Sequence, residues 1–194
     1  MTEPRLDGIE ALARSGTEVE RRVRSITDRQ WTLPTPCDAW DVRALVGHIV
    51  AGNVMGALLL RGGTIEEAWA VFETDLLGDD TVDTCAAAIA DQLVAFREMG
   101  SLDTIVHHPI GDVPATRLLE FRTIDLTVHA WDLARAIGAE EDLDSELVEE
   151  VWIQAAPLLD SFTASGLFGA GASGDVPDDA PAQQRLLDVL GRQS

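Results

Sequence analysis

The sequence predicts an all-α protein: a bundle of four long helices, interrupted by one short hairpin-like excursion and followed by extra C-terminal helices. Three observations lead there. Apolar residues recur at three-and-four spacing in long segments. Gly and Pro clusters separate those segments. No strand-rich region is long enough for an α/β sheet. With 194 residues, 46% of them hydrophobic, the chain 1–194 suits one domain with a sizeable core and a tail from about residue 160.

Residues 4–27 carry Leu6, Ile9, Leu12, Val19, Val23 and Ile26 on one helical face, which defines helix one. "TLPTPCDAWDV" follows. Its two prolines make an extended connection, and Asp38 is placed as N-cap of helix two, from about Ala39 to Leu60. Gly62 and Gly63 stop that helix, and Thr64 with Glu67 forms a capping-box pattern for a short one. Helix Asp83–Met99 is alanine-rich, with Ile89, Leu93 and Phe96 at packing positions. "TIVHHPIGDVPAT" then places β-branched residues around Pro109 and Gly111, a hairpin signal. Pro114 is placed in the first turn of a helix that runs to Ile137 and stops at Gly138. Asp144 to about Leu159 reads as a helix with an acidic first turn, "TASGLFGAGASGD" as a Gly- and Ser-rich loop, and "PAQQRLLDVLGR" as a short terminal helix.

Charge narrows the functional classes. Lys and Arg total 14 against 34 Asp and Glu, a formal charge of −20. That field repels nucleic acid and anionic membranes and concentrates cations. The first sixteen residues lack a basic stretch followed by an apolar run, and Cys37 and Cys85 form neither a CxxC motif nor a disulfide framework. A cytoplasmic protein is expected. The apolar stretch "ALVGHIVAGNVMGALLL" contains His48, Asn53 and several glycines, and reads as a bundle helix rather than a membrane span.

The polar residues in the expected core carry the functional signal. Asp125 and His129 stand four apart in "DLTVHAWDLARAIG", on one face of an otherwise apolar helix. A buried carboxylate costs free energy unless it is hydrogen-bonded, paired or metal-bound. His48 sits in line with Ala44, Ala51, Gly52 and Met55, side chains small or flexible enough to leave space before it. If helices two and four of the bundle are neighbours, the three make a two-nitrogen, one-carboxylate set suited to zinc, nickel or non-haem iron. On spacing alone, a helix salt bridge or a satisfied core histidine is the commoner meaning of such a pair. His107 and His108 point to opposite faces of an extended segment, so at most one joins. Cys37, just before a helix start, is read as an ordinary buried cysteine and Cys85 as packing. Asp132 and Arg135, three apart, are read as a local ion pair, with Asp132 also within reach of His129. Asn53 and Trp131 are taken as pocket-lining candidates.

"WTLPTPCDAWDVRALVGHIV", Trp31 to Val50, and "RTIDLTVHAWDLARAIG", Arg122 to Gly138, resemble actinobacterial metal-binding proteins related to the N-terminal domain of mycothiol-dependent maleylpyruvate isomerase, within the DinB-like four-helix superfamily. The closing "VPDDAPAQQRLLDVLGR" is similar to the tail of one branch of that family. The resemblance implies a DinB-like bundle whose divalent metal, zinc foremost with nickel, manganese or iron as alternatives, is held by His48, Asp125 and His129. It also implies mycothiol as cosubstrate, a small electrophile as substrate, and thiol-transferase or isomerase chemistry. The chain departs from better-known relatives at Asp125, where they carry glutamate or histidine, and it shows no counterpart of the isomerase's second domain after Gly138. The rival expectations are a bundle that binds a metal or small ligand without turnover, and a purely structural Asp125–His129 pair. An exposed bundle face could support a homodimer.

Overall fold

A computed structural model describes residues 6–158 and 171–192 of the chain. Four long helices form the frame: α1 (Gly8–Val23), α2 (Val42–Leu60), α4 (Thr81–Glu98) and α5 (Ala115–Ile137), with the short α3 (Ile65–Phe72) between α2 and α4. Each long helix packs on two others, in the closed ring α1–α5–α2–α4. Strands β1 (Ile105–His108) and β2 (Gly111–Pro114) pair antiparallel, with His107 opposite Asp112 and Val106 opposite Val113. Helix α6 (Ser145–Ala155) packs on α5, and α7 (Ala182–Val189) packs on α6.

Local chemistry sets the helix ends. Asp7 caps α1 by accepting from the Glu10 N–H at 2.9 Å. Thr64 and Glu67 make the expected reciprocal capping box, at 3.2 and 2.8 Å. Gly138 ends α5 at φ +67°, a left-handed turn that suits glycine.

Several helix ends differ from expectation. Helix α2 starts at Val42 with Asp41 as its cap, not at Ala39 with Asp38. The backbone N–H of Trp40 donates to Cys37 at 2.8 Å and Pro34 bridges to Asp41, so residues 37–40 are taken up in a turn. Helix α4 begins at Thr81, capped by Asp80, two residues earlier than the apolar pattern shows. Pro114 closes β2 and precedes α5 instead of lying in its first turn. Regular α-helix in α6 ends at Ala155, and a 3₁₀ turn, Ala156–Leu158, contains Pro157, which has no N–H to continue the ladder.

The core fills the ring with Leu12, Leu45, Ile49, Phe96, Leu118, Ile124, Leu126, Trp131 and Leu133, all under 2% exposed. Leu186, Leu187 and Leu190 are as deeply buried, so the terminal helix is docked. Most of the expected Gly-rich loop, residues 163–170, lies outside the described residues. Among those described, α2 alone is long and apolar enough to cross a membrane, and 67% of its apolar window is buried inside this bundle.

Candidate metal centre

The α2–α5 contact carries the site. His48 comes from the second turn of α2, and Asp125 and His129 from successive turns of α5. Asp125 Oδ1 lies 3.4 Å from His48 Nε2 and 3.3 Å from His129 Nε2. These separations exceed a good N–H···O hydrogen bond. Two ligands of a tetrahedral metal, each about 2.0–2.1 Å from it, stand about 3.3–3.4 Å apart. One ligand atom from each residue lies within 4.8 Å of the others. The donor set therefore fits a divalent cation in both chemistry and spacing.

Each donor is held by a neighbour. The His48 ring stacks on Trp40, centroids 4.4 Å apart at 26°, with Phe72 at 6.0 Å. Asp125 Oδ2 accepts from Arg122 Nη1 at 2.9 Å, which leaves Oδ1 to face the histidines. His129 Nδ1 is 2.9 Å from Asp132 Oδ2, so its far nitrogen points at the donor set. Burial opposes ionisation of Asp125, yet the Arg122, His129 and His48 charges hold its carboxyl well below the usual range. Burial likewise opposes charge on His129, and the Asp125 and Asp132 carboxylates override it, holding the imidazole well above its ordinary value.

Behind Asp125 lies a buried polar layer. Arg122 donates to Gln92 Oε1 at 3.1 Å, and Gln92 donates to Asn53 Oδ1 at 2.6 Å. Gly52 makes room for the guanidinium: a Cβ there would meet Arg122 Cζ at 2.7 Å.

A second donor group, Cys37, His129 and Asp132, shares His129 with the first. Its carboxylate is already engaged. Arg192 reaches Asp132 through Nε at 3.1 Å and Nη2 at 2.7 Å, and Cys37 Sγ is 3.4 Å from Asp132 Oδ2. A guanidinium paired with that carboxylate supplies its counter-charge and disfavours another cation there.

Other expectations fall differently. Asp132 pairs with Arg192 and His129, whereas Arg135 pairs with Glu141 at 2.6 Å and lies over the Trp131 ring. His107 binds Asp112 at 2.7 Å on the exposed hairpin; His108 is half-buried near Phe121, its pKa lowered by burial and by Arg122. Neither belongs to the donor groups found among the described residues. Asn53 and Trp131 are buried and do not line the cleft beside His48. That cleft, about 480 Å³, is walled by Trp40, Phe72, Ala51, Leu76 and Leu77, with Arg43 and Asp75 ion-paired at its edge at 3.0 Å. Sequence spacing assigns no site role to Arg122 or Arg192, which the structure places on Asp125 and Asp132. A basic residue at i−3 to Asp125 was the one available signal for Arg122, and nothing local signals Arg192.

Fold and site together define a helical-bundle protein with two imidazoles and a carboxylate converging between its second and fifth helices. The chain belongs to the mycothiol maleylpyruvate isomerase N-terminal domain family, matched over residues 12–134, a stretch that includes all three donors. Uncharacterised proteins from two strains of Mycobacterium tuberculosis are 32% identical over 162 residues, covering 82% of this chain and 83% of theirs. The crystal structure of the mycothiol-dependent maleylpyruvate isomerase superposes with a TM-score of 0.63 at 18% identity, covering 86% of this chain and 72% of that one. A histidine-to-alanine variant of that isomerase gives the same TM-score at 17% identity. At that identity the likeness establishes the shared helical fold.

Proposed function

We propose that the protein binds a divalent metal, zinc foremost, through His48, Asp125 and His129, and uses it to engage a low-molecular-weight thiol such as mycothiol for transfer to, or isomerisation of, a small electrophile. The observation that carries the reading is the pair of 3.3 and 3.4 Å separations about Asp125 Oδ1, too long for good hydrogen bonds and right for neighbouring ligands of a tetrahedral ion. When bound, such a cation lowers a coordinated thiol's pKa, so that thiolate is present at neutral pH.

The chain's own groups do the rest. Asp132 accepts a hydrogen bond from the His129 Nδ1–H, and Trp40 fixes the plane of His48. Arg122 keeps Asp125 one-handed, so that coordination by three residues leaves positions for thiol or water. The cleft walls of Trp40, Phe72, Leu76 and Leu77 accept an apolar part of the electrophile beside His48.

A second reading is binding without turnover. The same donor set supports it, since His48, Asp125 and His129 can hold an ion whether or not a substrate reacts there. Elemental analysis of protein purified without chelator or affinity-tag metal, beside His48→Ala and His129→Ala, tests the common premise. Near-stoichiometric metal lost in both variants supports it; no metal after attempted reconstitution removes it. Thiol consumption across a panel of electrophiles then separates catalysis from binding.

A further inference from the structure

Resting on that reading of His48, Asp125 and His129 as metal ligands, we infer that Arg192, in the segment after α7, is a positioning residue of the centre: it clamps Asp132 against His129 and thereby sets which imidazole nitrogen faces the other two donors.

The contacts form a chain. Arg192 is 9% exposed and grips both oxygens of Asp132, 60 residues away, at 3.1 and 2.7 Å. Such a forked pair fixes the carboxylate plane as well as its position. The Asp132 oxygen at 2.7 Å from Arg192 also accepts from His129 Nδ1 at 2.9 Å. An imidazole whose Nδ1 proton is committed offers Nε2 as its ligand nitrogen. Asp132 is fully buried, so water does not compete for its geometry.

The arginine is itself anchored. Its Nη1 donates to the Leu190 carbonyl at 2.8 Å and its backbone N–H to the Leu187 carbonyl at 2.8 Å, while Leu186, Leu187 and Leu190 pin the segment into the core. Its Nη2 also lies 3.4 Å from Cys37 Sγ, in the loop that carries Trp40 to His48. Residue 192 falls outside the 12–134 stretch that defines the family match. The C-terminal segment is therefore a working part of the centre, and Arg192 neutralises Asp132, so that the ion does not face a second uncompensated carboxylate charge.

The test uses the full chain with Arg192→Met, which keeps the volume and removes the fork, and Arg192→Lys, which restores charge alone. Thermal melting establishes that each variant is folded. Zinc affinity is read by competition with a chromophoric chelator at fixed pH. Arg192→Met is expected to weaken zinc about tenfold or more, the low end of what groups orienting a ligand contribute, with Arg192→Lys in between. Ring-nitrogen NMR, assigned against His129→Ala, supplies a metal-free readout: the His129 Nδ1 proton is protected from exchange in the wild type and lost to exchange in Arg192→Met. Zinc affinity within twofold of wild type together with a protected Nδ1 proton would overturn the inference. If the wild type takes up no zinc, the ligand reading fails separately and the NMR arm alone decides the clamp.

Discussion

His48 and His129 stand on different helices with ring centroids 5.1 Å apart and planes at 85°, and both turn Nε2 toward the same oxygen of Asp125. Two imidazoles and a carboxylate converge where a bundle core would ordinarily place leucines. The environments of the two rings differ, and so do the expected consequences of removing them. The His48 side chain is 23% exposed at the cleft, and that of His129 is 5% exposed with a second carboxylate behind it.

Either alanine variant should therefore lower zinc affinity by more than about a hundredfold, since even groups that only orient a ligand contribute 10–100-fold. Stability should separate them. His129→Ala leaves Asp132 short of a partner and opens a cavity, and should cost about 2–4 kcal/mol in urea unfolding. His48→Ala should cost under about 1 kcal/mol.

Asp125→Ala strands the Arg122 guanidinium in a buried site. Removing one member of a buried ion pair costs about 3–5 kcal/mol. Replacing both, as Asp125→Ala with Arg122→Met, should cost less than the sum of the two single changes in a double-mutant cycle.

Glycines of α2 give predictions of opposite sign. A Cβ at Gly52 would overlap the Arg122 guanidinium, so Gly52→Ala should destabilise by about 1–3 kcal/mol despite alanine's helix propensity. A Cβ at Gly47 meets only Leu77 Cδ1, at an ordinary 3.7 Å. Gly47→Ala should gain up to about 1 kcal/mol. Thermal or urea melts of the two variants check both signs.

The cysteines should react in sequence. Burial, with Glu20 adding, pushes the Cys85 thiol up to about 12 from an ordinary 9.0, whereas Cys37 is half-buried at the protein surface. Iodoacetamide at pH 8 should label Cys37 in the native protein and Cys85 only after unfolding. Between about pH 9 and 12 the unfolded chain releases the Cys85 proton while the folded one keeps it, so stability should fall with rising pH in that window. A Cys85→Ala variant should lose that part of the alkaline decline.

What could be read in advance divides by the range of the interaction. Helix periodicity, the Thr64–Glu67 box, the stop at Gly138 and the Asp125–His129 pairing are all set within a few residues, so they are visible in the chain itself. Asp132 shows the limit: a partner three residues on, Arg135, looked sufficient, but a fully buried carboxylate took the buried Arg192 and left Arg135 to Glu141. Cys37 read as inert for the same reason, because its neighbours Asp132 and Arg192 come from α5 and from the end of the chain. The choice of Asp41 over Asp38 as a cap turned on a tight turn at Cys37–Trp40, which two nearby prolines signalled only as extended chain.

The central claim is that the ion sits among His48, Asp125 and His129 rather than at the neighbouring group of Cys37, Asp132 and His129. X-ray absorption at the zinc edge of the metal-loaded protein distinguishes them directly. The account predicts nitrogen and oxygen neighbours at about 2.0–2.1 Å, with the multiple-scattering signature of two imidazoles and no protein sulfur. A sulfur shell at about 2.3 Å in thiol-free buffer, abolished by Cys37→Ser, would place the metal on the other side of His129 and contradict it.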